Sequence, residues 1–268
     1  MRGTVFSKLH ALSRLFGKWI IFINLAQLLL KLTNKIIALQ MGLKESLLKI
    51  EFIKNIKRNQ QKKRFKGSAE YWEDRYKAEG NSGSGSYDHL ANFKAQVLND
   101  FVAKNKVNTV LEFGCGDGNQ LTIAKYPNYI GLDVSPTAIQ MCHKRFKDDK
   151  TKSFLIYNSL AFFDNHQIVK ADLTMSLDVL YHLVEIEIFE KYIIDLFNAS
   201  QKYVIIYASD YNQEEEPIHQ HENRRGFTAF VAKQFPNFKL VEVIKNKYPK
   251  TVNGLVGSYS DFFIYEKQ

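Results

Sequence analysis

The sequence predicts a doubly wound α/β sheet, and three observations carry that prediction. Short apolar segments alternate with helical stretches from residue 107 to residue 209. The first apolar segment ends in a glycine-rich turn, Gly114-Cys115-Gly116-Asp117-Gly118, and the second ends in an acid, Asp133. Glycines there let the backbone pass close to a ligand and turn sharply toward a helix.

Each element has its own local signal. Residues 70–79 read as a short helix and 80–86, rich in Gly and Ser, as a lid over the site. A helix over 88–104 leads into a strand at 107–113 and a short helix near 118–125, which Asp117 and Asn119 are placed to cap. The strand 128–133 is followed by a helix that opens at Pro136, a favoured first position, and runs to 147. Strands at 153–157 and 171–177, a helix at 185–199 and a strand at 202–209 continue the alternation. Residues 238–246 and 259–266 read as a final antiparallel pair, which makes seven strands.

The spacing of the turn separates two kinds of nucleoside site. A dinucleotide fingerprint counted from Gly114 and Gly116 requires glycine at 119, where Asn119 stands. What stands instead is Glu112-x-Gly114-x-Gly116-x-Gly118, which resembles motif I of the class I S-adenosylmethionine-dependent methyltransferases. Tyr71-Trp72-Glu73 through Tyr76, the run 81–86, and Ala171 through Asp178, His182 and Leu183 extend the resemblance over residues 67–268. More narrowly, the chain is similar to small bacterial methyltransferases of polysaccharide biosynthesis. The resemblance implies a Rossmann-like seven-stranded methyltransferase sheet and S-adenosyl-L-methionine as cofactor. It implies that Asp133, with Val134 beside it, accepts hydrogen bonds from the ribose, and that Glu112 helps hold the amino-acid end. Phe113, Gly114, Gly116, Asp117 and Gly118 then form the close wall, with Leu177 and Asp178 opposite. Tyr157-Asn158-Ser159 falls near the adenine position without the acid usual there.

Methyl transfer to a hydroxyl needs alignment and removal of one proton. His182, at the end of the fourth strand, is the expected general base, because a neutral imidazole near its ordinary pKa of ~6.5 takes a proton at cellular pH. His221 is a second catalytic candidate. His219 and Arg224, in the polar loop after the fifth strand, are expected to hold the acceptor, with Arg224 and Arg225 suited to a phosphate or carboxylate. His219 and His221 show no third ligand in sequence, so no metal site is expected.

Charge divides the chain. Residues 1–66 carry 15 Lys/Arg against 2 Asp/Glu, a net of +13, and residues 67–268 carry 22 against 26, a net of −4. The acidic balance of the second part argues against a nucleic-acid substrate. Within residues 1–66, apolar side chains at steps of three and four predict an amphipathic helical arm, with residues 5–56 suited to an anionic membrane surface or to a partner chain in an oligomer. The apolar stretch 19–30 is too short for a simple span. The expected location is cytoplasmic, peripheral on the inner membrane face. Two cysteines, Cys115 and Cys142, give neither a disulfide framework nor a C-x-x-C metal motif. The leading function is O-methylation of a glycan or small-molecule acceptor. The rivals are N-methylation of protein or RNA and a non-catalytic scaffold that binds S-adenosylmethionine.

Overall fold

The computed structural model describes residues 65–214, 219–250 and 256–268, together with Lys44. The amphipathic arm therefore lies outside the described residues, apart from Lys44, Phe65 and Lys66. Among the described residues no helix is long and apolar enough to cross a membrane.

Seven strands form one sheet: β1 (Thr109–Phe113), β2 (Asn128–Asp133), β3 (Lys152–Ile156), β4 (Ala171–Leu177), β5 (Ser200–Ala208), β6 (Phe238–Ile244) and β7 (Asp261–Lys267). Their order is β3-β2-β1-β4-β5-β7-β6. The first five run parallel, and β7 inserts antiparallel between β5 and β6. Among the described residues five helices accompany them: α1 (Ser68–Lys77), α2 (Asp88–Lys104), α3 (Pro136–Arg145), α4 (Ile186–Asn198) and α5 (Thr228–Gln234).

Both faces of the sheet are covered, and the strand sequences alternate accordingly. In β5, Val204, Ile206 and Ala208 enter one apolar layer, and Ile205 and Tyr207 enter the other. The first layer is closed by α4, whose Phe189, Tyr192, Ile193, Leu196 and Phe197 recur at helical spacing. Leu98 and Val102 of α2 and Ile139 and Cys142 of α3 close the second. Polar groups under α4 are satisfied: Thr174 Oγ1 donates to the Leu196 carbonyl at 2.8 Å, and Tyr192 OH lies 2.8 Å from both Ser176 Oγ and the Phe113 carbonyl. The cap of α3 is also built as its sequence requires, with Pro136 in the first turn and Ser135 Oγ accepting from Ala138 N at 3.0 Å.

Two local expectations change. The helix expected over 118–125 is a single 3-10 turn, Gln120–Ile123. Few residues separate Gly118 from β2, and Pro127 holds the residue before it extended, so a second turn does not fit. Asp117 accordingly accepts from Asn119 N at 2.9 Å as a turn residue rather than as a helix cap. In addition, α5 forms a short helix that periodicity does not announce, with Asp210 Oδ1 accepting from Phe227 N and Thr228 N.

Leu196 is fully buried between α4 and the sheet. Leu196→Ala is expected to lower unfolding free energy by about 2–5 kcal/mol, read from the urea midpoint at unchanged slope.

Candidate functional site

Strand order reverses between β1 and β4, and a cavity of about 320 Å³ opens beyond their C-terminal ends. The turn after β1 is stitched to β2 by Gly114 N and Cys115 N, which donate to the Leu132 carbonyl at 2.7 and 2.9 Å. Asp133 ends β2 facing the cavity. Its Oδ2 accepts from Gly116 N and its Oδ1 from Ser135 N, both at 2.9 Å. Each carboxylate oxygen has a further lone pair for a hydroxyl donor. Burial pushes the Asp133 carboxyl up to about 6, against these backbone N–H bonds. Glu112 is also buried on the cavity wall and is pushed up to about 7 by burial, with the Tyr129 hydroxyl donating to Oε2 at 2.5 Å and the Lys94 ammonium opposing the rise.

The loop 80–86 lies on the glycine turn. Gly116 has φ +57°, and a Cβ there would stand 2.3 Å from Ser82 Oγ. Ser82 N donates to Asp117 Oδ2 at 3.1 Å, and Asp117 N donates back to Ser82 Oγ at 2.9 Å. Tyr87 OH donates to the same Asp117 oxygen at 2.7 Å. Asp117 thus clamps the loop and does not line the cavity. Gly118 faces away too: a Cβ there would meet Cys142 Sγ at 2.9 Å and Phe146 at 3.0 Å, so its bareness lets α3 close on the turn. Phe113 is buried behind the wall, against Tyr157 and Tyr192. Of the cofactor residues read from the sequence, Glu112, Gly114, Gly116, Asp133, Val134, Leu177 and Asp178 do line the cavity.

Sequence reading missed several wall residues. Trp72 and Tyr76 come from α1, and Ile156 and Leu160 are solvent-exposed because they border the opening. Gln120 also lines the cavity, and its Oε1 is buried with no hydrogen-bond partner among the described residues. Lys94 is the largest omission. It is fully buried and donates to Asp178 Oδ2 at 2.7 Å. Its signal was available, because Lys94 falls on the buried stripe Leu90, Ala91, Ala95, Leu98, Val102 of α2. Asp178 has φ +59° and also accepts from Ser260 Oγ at 3.0 Å and Tyr181 OH at 3.2 Å.

His182 closes a one-turn 3-10 segment after β4 and lines the cavity. Its Nδ1 lies 2.9 Å from the His221 carbonyl oxygen, which can only accept. Nδ1 therefore carries the proton, and Nε2 presents a lone pair. Burial pushes the His182 pKa below its ordinary value, and burial pushes His221 down to about 4. Trp72 meets the His182 ring edge-on at 4.8 Å, and Tyr71 stacks on His221 at 4.1 Å. His221, His219 and Arg224 do not line the large cavity. Arg224 instead lines a second cavity of about 110 Å³ with Asp178, Tyr181, Ser209, Lys250 and Tyr259. There its guanidinium lies 4.9 Å from the Tyr259 ring centre, as does the Lys250 ammonium. Asp178 borders both cavities.

Residues 111–195, spanning β1 through most of α4, match a family model described as a methyltransferase domain. These residues carry a methyltransferase domain, on a sheet whose strand order is typical of class I methyltransferases. Its methyl donor is S-adenosylmethionine. Among solved structures, the N-methyltransferase NodS from Bradyrhizobium japonicum WM9, in complex with S-adenosyl-L-homocysteine, superposes with a TM-score of 0.56 at 15% identity, over 75% of this chain and 98% of that one. Magnesium protoporphyrin IX methyltransferase from Synechocystis PCC 6803, with bound S-adenosyl-L-homocysteine, gives 0.52 at 13% identity, over 75% and 98%. At these identities the likeness is one of fold. No curated protein matches the chain.

The methyltransferase cavity fits its donor on the evidence of its own atoms. Asp133 offers acceptors for ribose hydroxyls, bare Gly116 lets Ser82 and Tyr76 close on the turn beside the cavity, and Gln120 Oε1, without a partner among the described residues, offers an acceptor. When bound, S-adenosylmethionine supplies an activated methyl group on a sulfonium.

Two outcomes follow. Protonating Asp133 or Glu112 removes charge that ribose hydroxyls and an ammonium group need, so donor affinity is expected to fall as pH drops from about 7.5 to about 5, through the values near 7 and 6. Asp133→Asn should weaken binding by about 1–3 kcal/mol at the upper pH and flatten the lower part of that titration, as calorimetry would show. Asp178→Ala leaves the Lys94 ammonium buried without its carboxylate and should cost about 3–5 kcal/mol in thermal unfolding.

Proposed function

We propose that this methyltransferase transfers its methyl group to a hydroxyl oxygen of an acidic small molecule or glycan, with His182 as general base. The observation that carries the reading is the His182 tautomer: Nδ1–H is committed to the His221 carbonyl, and the Nε2 lone pair stands at the wall of the donor cavity. A hydroxyl entering from that side meets the donor methyl group and an acceptor for its own proton together. The second cavity supports an acidic acceptor. Arg224 and Lys250 bring two cations to it, and Ser209 Oγ, buried and without a partner among the described residues, offers a donor. Arg224 NH2 is already bonded to Glu222 at 2.9 Å, so an acceptor anion there would share the guanidinium. His219 lines neither cavity, and its ring lies 5.5 Å from that of His221.

NodS and the protoporphyrin enzyme carry different acceptors in their names, so the fold likeness does not select among them. Polysaccharide biosynthesis fits the acidic-glycan acceptor, and the basic arm, with its net +13 over residues 1–66, fits cytoplasmic work at an anionic membrane surface.

The test is transfer of labelled methyl from S-adenosylmethionine to matched acceptors. Acidic sugars with free hydroxyls should be labelled, and labelling confined to amines, protein or RNA would overturn the hydroxyl reading. With an accepted substrate, His182→Ala should lower kcat by about 10²–10⁴-fold and leave donor affinity unchanged. A wild-type kcat would remove His182 as the base.

A further inference from the structure

One ring nitrogen of His182, one of His221 and one carboxylate oxygen of Glu222 all lie within 4.8 Å of one another. The sequence pairs His221 with His219, two residues away, and offers no third ligand. The fold instead brings His182, from the turn after β4, beside His221 and Glu222, from the loop after β5.

Three features mark this as more than a chance meeting of polar groups. First, both rings are fixed in orientation, His182 through the His221 backbone and both through aromatic rings outside the cluster. His182 is held by its Nδ1–H bond to a backbone carbonyl and by the edge of Trp72, and His221 by the face of Tyr71. A ligand imidazole is ordinarily oriented in this way, with one nitrogen tied to a carbonyl and the other left bare. Second, Glu222 is oriented by Arg224, whose NH2 donates to Oε2 at 2.9 Å, while Oε1 lies 3.9 Å from His221 Nε2. Third, the spacing is close to that of a bound ion. Three atoms within 4.8 Å of one another lie at most about 2.8 Å from a common point, so inward movement of about 0.7 Å each reaches the 2.0–2.2 Å of zinc–nitrogen and zinc–carboxylate bonds.

We propose that His182, His221 and Glu222 form a site for a divalent transition-metal cation of the zinc class, open on the side that faces the donor cavity. Two imidazoles and one carboxylate suit zinc, cobalt or iron better than magnesium or calcium, which prefer oxygen shells. The site stands on this geometry and not on the identity of the acceptor. It has one consequence for catalysis: with Nδ1–H committed to the His221 carbonyl, a cation on His182 would take Nε2, the lone pair that the base would use. Metal-bound His182 therefore cannot accept the acceptor's proton, and a zinc-loaded enzyme is a switched-off one if His182 is the base.

Zinc titration of the full, tag-free chain by calorimetry tests the site, with cobalt absorption as a second readout of coordination. One equivalent should bind per chain. His221→Ala and Glu222→Gln should each weaken it by more than the roughly 10–100-fold that loss of an outer hydrogen-bond partner costs, and His219→Ala should leave it unchanged. Circular dichroism of each variant confirms that it is folded. Absence of saturable binding, or binding that survives both ligand substitutions or disappears with His219→Ala, would overturn the site. Activity then separates this inference from the base assignment. Inhibition by zinc, reversed by chelator, supports both, while activation by zinc together with ligand-dependent binding keeps the site and removes His182 as the base.

Discussion

Between α2 and the end of β4, an ammonium with no exposure to water meets a carboxylate held in a left-handed turn. Burying Lys94 costs several kcal/mol that a single contact does not return. The rest comes from geometry around Asp178: it accepts from Lys94 of α2, Tyr181 of the following turn and Ser260 beside β7. Three segments far apart in sequence are thereby tied to one carboxylate. Because Asp178 borders both cavities, the same tie fixes the partition between them. The two cavities are thus held side by side by one buried ion pair.

The strand ends were legible in the sequence for a simple physical reason. β1, β2 and β4 are short buried runs with turn chemistry at fixed offsets, and Glu112, the glycine turn and Asp133 follow directly from them. Where the structure gives a residue a different partner from the one its position suggests, a neighbour has claimed the group. Asp117 looks like a ligand or a cap from its position, but its oxygens are taken by Ser82, Tyr87 and Asn119. Gly118 looks like part of the donor wall, but Cys142 and Phe146 are what require its missing side chain. Both contacts come from segments that no local pattern connects to the turn.

The histidine cluster was less legible because it is assembled from side chains on irregular backbone. Tyr71 stacks on His221 across a separation of 150 residues, and His182 on His221 across 39. No periodicity encodes such a meeting. Lys94 is the intermediate case, since a charge on an otherwise apolar helical stripe asks for a buried partner without naming it.

The place of β7 in the sheet has a consequence for how the chain is made. This strand starts at Asp261, yet it fills the gap between β5, finished at Ala208, and β6. At roughly 5–20 residues per second, a ribosome leaves β5 without its outer neighbour for about 3–10 s. During that interval its backbone donors and acceptors form an open edge flanked by Val204, Ile206 and other apolar side chains. Asp178 likewise waits for Ser260. The catalytic rim therefore matures last, after residues on the far side of the sheet have left the ribosome, and the nascent domain is most vulnerable to mispairing just before it becomes an enzyme.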